Sequence, residues 1–187
     1  AGYAYEVIKN FSVSATFKYL FSDMGRIGNS RGASSVAFDL GVLYKCGIND
    51  WEGAGWSVGL HVSNLGPKIN YLTSKDALPA TVKVGGAADL PFLQMHKLTL
   101  TADLGYRLSP ADVQALSVSA GAEYAWRELV MLRGGYHCGD KKKGDASYAT
   151  AGAGVEYAGV RLDFAWLFAG HEYLARNTFW VSLGYSF

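Results

Sequence analysis

The residues best suited to metal or nucleophilic chemistry are four histidines and two cysteines, and their spacing argues against both uses. His61, His96, His137 and His171 fall in separate segments, and Cys46 and Cys138 stand alone. Metal sites and redox motifs need such ligands in close pairs. The glycine-rich runs GAGWSVG and GAGVEYAG open no helix, so they read as strand glycines rather than phosphate cradles. The expectation is a protein with no enzymatic activity, no metal and no cofactor. What remains is ion pairing. Lys18, Asp39, Lys45, His61, Lys83, Asp89, Asp103, Arg107, Glu123, Arg133, Glu156, Arg161 and Asp163 share one parity within their segments. A two-residue turn at Ala158–Gly159 sets Glu156 opposite Arg161 and predicts a cross-strand pair. A three-residue turn after Trp126 sets Glu123 opposite Arg133 in the same way. The bland alternative is that these charges only hydrate their face, since exposed pairs are weak.

The segments that must position these charges alternate strictly. FSVSATFKY, LTLTADLGYR, LSVSAGAEYAW, VRLDFAWLF and NTFWVSLGYSF each place large apolar residues at every second position. Serine, threonine, glycine or charge stands between them, with Trp180 as the exception in the last segment. Period two is the mark of a strand with two different faces. About eleven strands of about ten residues are predicted, the first a short one near Tyr3–Val7. No segment has a helical period. The prolines, Pro67, Pro79, Pro91 and Pro110, fall between or at the ends of the runs, where a sheet tolerates them. Long polar connections roughly alternate with tight ones, although Gly47–Gly55 is long and Ser109–Asp112 short for its side.

Two architectures accommodate this pattern. One is a soluble sandwich or barrel around an apolar core. The other is an antiparallel transmembrane β-barrel, whose apolar face meets lipid and whose polar face lines the lumen. Strand length fits a tilted membrane crossing. Tyr19, Tyr44, Trp56, Tyr106, Trp126, Tyr157 and Phe168 stand near strand ends, where interfacial girdles belong. Uniform strands and one-sided long loops favour the transmembrane barrel. The net charge of +1 gives no basic surface for nucleic acid. No apolar run reaches the roughly 18–20 residues of a membrane helix. Bacterial single-chain barrels have even strand counts, so residues 1–187 are expected to be the C-terminal portion of a single outer-membrane barrel domain. Its terminal Phe187 matches the aromatic end of such barrels.

Two stretches carry a family resemblance. VSNLGPKINYLTSKDALPATVKVGGAADL, Val62 to Leu90, resembles the N-x-G-x-K-I-x-Y … L-P-x-x-x-x-x-G region of the PorV/PorQ-type outer-membrane proteins. VSAGAEYAWRELVMLRGGYHCGDKKKGDASYATAGAGVEYAGVRLDFAWL, with the closing NTFWVSLGYSF, resembles their last four strands in order and turn length. The resemblance implies a FadL-like barrel in the outer membrane of Bacteroidetes, working in the type IX secretion system. It further implies binding to the translocon barrel and shuttling of signal-domain-bearing cargo proteins to the cell-surface attachment complex. The alternative is a FadL-like channel for small hydrophobic molecules, although the polar inward faces disfavour it. A protein-binding barrel needs apolar residues on its outer loops, and Ile69, Tyr71, Leu72, Tyr173 and Leu174 are the candidates. The loop Leu65–Pro79 is expected to be extracellular, as either a lid or a docking surface. Expected lipid partners are outer-membrane lipid and lipopolysaccharide; the basic run Asp140–Lys143 reads as a solvated loop or, alternatively, as a contact for lipopolysaccharide or a partner. Cys46 and Cys138, at opposite ends of their strands, are expected to stay unbonded.

Overall fold

The alternation becomes strand almost without exception. The computed structural model describes residues 1–22, 33–70, 75–170 and 177–186. Its strands are β1 (Gly2–Ile8), β2 (Phe11–Ser22), β3 (Ala33–Gly47), β4 (Gly55–Leu65), β5 (Ile69–Asn70), β6 (Lys75–Asp76) and β7 (Thr81–Phe92). They continue with β8 (His96–Arg107), β9 (Leu116–Trp126), β10 (Val130–Cys138), β11 (Tyr148–Tyr157), β12 (Val160–Ala169) and β13 (Phe179–Tyr185). Short helical turns occupy Ala111–Val113 and Lys141–Lys143. Phe187 and His171 lie outside the described residues.

Eleven strands form one sheet in the order β1-β2-β3-β4-β7-β8-β9-β10-β11-β12-β13, while β5 and β6 pair separately. Apart from the step from β4 to β7 over the β5–β6 hairpin, each strand of the sheet lies beside its neighbour in sequence, the up-and-down order of a β-barrel wall. Connections in such a meander fall alternately at the two ends of the sheet. Three of the tight ones use left-handed backbone at successive residues: Leu93 and Gln94, Arg127 and Glu128, Ala158 and Gly159 all have positive φ. Two left-handed residues match the twist of the flanking strands. Only Ala158–Gly159 carries a glycine for the purpose, so the other two turns give no signal in composition.

Contacts divide the chain into two units. One comprises Ala1–Tyr44, Gly59–Val84 and Gly105–Leu116; the other comprises Lys45–Val58, Gly85–Leu104 and Ser117–Phe187. In both, burial is inverted relative to a soluble sandwich. The buried apolar residues are mostly small: Ala33, Ala37, Ala54, Ala80, Ala115 and Ala125, joined by Leu78, Met131 and Leu167. Among the described residues no large side chain is fully buried. The large apolar groups stand on the open face instead, with Leu40, Val58, Leu104, Val118, Leu162 and Val181 exposed and Leu183 at 76%. All seven girdle aromatics, Tyr19 to Phe168, are exposed there too. Burying one such side chain is worth about 1.5–3 kcal/mol, so a face this large calls for an apolar surrounding. Cys46 and Cys138 are free thiols.

Candidate functional site

Hairpin register brings the charges of the polar face together. Trp126 pairs with Val130 across three turn residues, and this sets Glu123 directly opposite Arg133. Arg133 Nε donates to Glu123 Oε2 at 2.5 Å. Its Nη1 donates to Asp163 Oδ1 at 2.5 Å, although β11 lies between β10 and β12. The reach is possible because the intervening positions are glycines. Gly152 lies opposite Arg133, and Gly154 lies opposite Asp163. A Cβ on Gly154 would press into the Asp163 carboxylate and stand 3.1 Å from Arg133 Nη1. The glycine run in β11 is thus a notch through which a guanidinium crosses one strand to reach the next.

Arg161 extends the network from the other side. Glu156 and Arg161 are register partners, but their closest charged atoms are 3.6 Å apart. Arg161 Nε donates instead to Asp163 Oδ2 at 2.7 Å, two residues along its own strand. Asp163 therefore serves two arginines, a role that the reasoning from hairpin register did not assign to it. The signal was present: Arg161 and Asp163 share parity, and a glycine faces Asp163. The half-buried Arg133 is held by two carboxylates, whereas Arg161 and Glu156 are both more than two-fifths exposed.

The second feature is a loop stitched down at both ends. Asn64 adopts left-handed backbone, φ 57°, a conformation asparagine tolerates better than most residues. Its backbone N–H donates to Asp39 Oδ1 at 2.8 Å, and its side-chain Nδ2 donates to the Pro79 carbonyl at 3.2 Å. Asp39 is only 6% exposed and pairs with Lys18 Nζ at 2.5 Å. Lys18 also donates to Asn64 Oδ1 at 3.3 Å. Next in sequence, a Cβ on Gly66 would sit against the Val36 carbonyl and Leu78, so only glycine allows that approach. Ser35 Oγ donates to the Pro67 carbonyl at 3.0 Å. At the far end Leu78 is buried, and the Leu108 N–H donates to the Ala80 carbonyl at 2.8 Å.

Between these anchors Ile69 pairs with Asp76 and Asn70 with Lys75, a minimal hairpin. Ile69 is half-buried. Tyr71, Leu72, Tyr173 and Leu174, the other apolar loop candidates, lie outside the described residues. Asn64, Gly66 and Pro79 belong to the motif that carried the family resemblance, and their visible work is to hold the loop base.

A further line of groups joins β9 and β10 to the loop after Cys138. His137 Nδ1 lies 3.0 Å from Ser119 Oγ, and its Nε2 lies 3.0 Å from Asp145 Oδ1. Ser119 sits in mid-strand rather than at a strand-to-helix turn, the setting a hydrolase nucleophile uses. The line acts as a strut between strand and loop. The stretch Gly28-Asn29-Ser30-Arg31-Gly32 also spells a hydrolase pattern, Gly-x-Ser-x-Gly. It lies outside the described residues, and the element that follows it is strand β3, not a helix. Among the described residues no group of three or more potential ligands could hold a metal ion.

No curated protein matches the chain. The family model of the type IX secretion system protein PorV matches residues 1–114. That span contains Lys18, Asp39, Asn64, Gly66 and Pro79, the whole anchor of the loop, and stops short of the Arg133 network. With more than half its length matched, the chain belongs to the PorV family of type IX secretion system proteins.

Proposed function

We propose that this chain forms barrel wall in the bacterial outer membrane and docks protein partners through the anchored loop of residues 65–80. In this reading the exposed apolar face lies against lipid and the charged face lines the interior. The partners are the translocon and signal-domain-bearing cargo, which the protein passes to the cell-surface attachment complex. The observation that carries the docking role is the loop base. A solvated connection has no need of a buried Asp39 paired with Lys18, a left-handed Asn64 and a glycine packed against a backbone carbonyl. A docking surface does, because pre-ordering a loop lowers the entropy lost when a partner binds. The charge network speaks against a passage for small hydrophobic molecules, since Arg133, Asp163 and Glu123 crowd the face such cargo would follow.

The test replaces Ile69, Tyr71 and Leu72 with serine and follows two readouts. Partner co-purification is expected to fall at least tenfold, the loss of roughly 1.4 kcal/mol or more of binding, while the barrel still assembles. Unchanged co-purification with increased leakage of small solutes would make the loop a lid only.

A further inference from the structure

The connection between β10 and β11 lies opposite the tight turns that precede β10 and follow β11. Its backbone is closed on itself. Asp140 Oδ1 accepts from the Lys142 N–H at 2.9 Å, and the Asp140 carbonyl accepts from Lys143 N–H at 2.9 Å and Asp145 N–H at 3.0 Å. Gly144 turns in the left-handed region, φ 75°. Gly139 N–H donates to Ser147 Oγ at 3.2 Å. Asp145 is drawn inward to His137, whose ring stacks on Tyr148 at 4.8 Å. Both carboxylates of the loop are thus used within it. Lys141 and Lys142 remain exposed, with no ion-pair partner among the described residues.

The apolar face beneath this turn is aromatic. Tyr136 pairs with Ala149 and Ala149 with Phe168, so the two rings belong to one cross-strand row. Both are exposed. Trp166 stacks on Phe168 at 6.1 Å and on Phe179 at 6.0 Å, widening the row into a belt. Aromatic rings of this kind settle at the membrane–water interface. The end of β10 at Cys138 is two residues past Tyr136, about 7 Å at the rise of a strand. On the membrane reading, the lysine turn just beyond it stands at the depth of lipid phosphates.

We propose that Lys141 and Lys142 bind the phosphate groups of an anionic lipid of the outer leaflet, with the Tyr136–Phe168–Trp166 belt against its acyl chains. The assignment rests on the membrane reading of the apolar face. The rigid turn presents two adjacent ammonium groups without internal competition, and phosphate is the anion available at that depth.

The protein is reconstituted into nanodiscs doped with a bisphosphorylated lipid A-type glycolipid or with its dephosphorylated form. Co-retained glycolipid is then counted by mass spectrometry after detergent exchange. Lys141→Gln/Lys142→Gln is expected to lower retention of the phosphorylated form by roughly thirty-fold at low salt, about fivefold per lysine. Retention of the dephosphorylated form is expected not to change, and Lys9→Gln, at a tight turn, to leave both unaffected. Equal retention of both forms, or a double variant that retains as much phosphorylated lipid as the parent, overturns the proposal. Retention that follows acidic peptides but not phosphorylated lipid overturns it in favour of a protein ligand. Failure of the parent protein to enter the bilayer at all overturns the membrane reading itself, a separate result.

Discussion

Arg133 and Arg161 look equivalent in sequence and are not equivalent in the folded protein. Arg133 is half-buried between Glu123 and Asp163, and its removal leaves two carboxylates of like charge facing each other across a glycine notch. Arg161 is exposed, and its nominal partner Glu156 is the loosest contact in the network. Arg133→Met is therefore expected to destabilise by about 1–3 kcal/mol, the range for stranding a partly buried charged partner. Arg161→Met is expected to cost under about 1 kcal/mol, as exposed pairs do. Urea unfolding in lipid vesicles would rank the two. Gly154→Val is expected to resemble Arg133→Met, because the new side chain fills the space where guanidinium and carboxylate meet. The reverse ranking, or a silent Gly154→Val, would mean that the network carries no stability.

At the scale of the element, the base of the loop carries special backbone. Asn64 holds a left-handed conformation, contacts Asp39 with its N–H and reaches Pro79 with its side chain. Asn64→Gly keeps the conformation and loses two side-chain hydrogen bonds, to the Pro79 carbonyl and from Lys18. Asn64→Val loses the same two and places a β-branched residue where left-handed backbone costs about 1–2 kcal/mol. Limited proteolysis is expected to cut between residues 65 and 80 much faster in Asn64→Val than in the parent, with Asn64→Gly intermediate. Equal cutting in all three would show that Gly66, Ser35 and Leu78 suffice to hold the loop.

For the whole molecule the decisive property is the inversion of burial. In water the exposed aliphatic and aromatic face would drive aggregation; against lipid it is the stable arrangement. Neighbouring residues of β13 test this directly. Val181 faces outward beside Phe164, whereas Ser182 lies on the other face opposite Asp163. Val181→Arg is expected to cost about 2–4 kcal/mol if its level is the bilayer midplane and to lower the yield of heat-modifiable, folded protein in vesicles. Ser182→Arg, placed beside a carboxylate, is expected to fold normally. Equal tolerance of both would place the apolar face in contact with something other than lipid.

The strands, their two faces and the facing of Glu123 with Arg133 and of Glu156 with Arg161 were all legible in the sequence. Each depends only on period-two alternation and on the length of one adjacent turn, which are local properties. Asp163 was legible only as one charge among thirteen of its parity. Its position as the hub arises from a guanidinium passing over a glycine of the intervening strand, which hairpin register cannot express. The work of Asn64 was hidden for a related reason. Its partners, Asp39 and Pro79, are distant in sequence, and the left-handed turn that joins them forms only once β3 and β4 lie side by side. Alternation could name an apolar face but not what covers it. Among the described residues the tertiary structure decided that no core does: the buried apolar positions went mostly to alanines, and the large side chains stayed exposed.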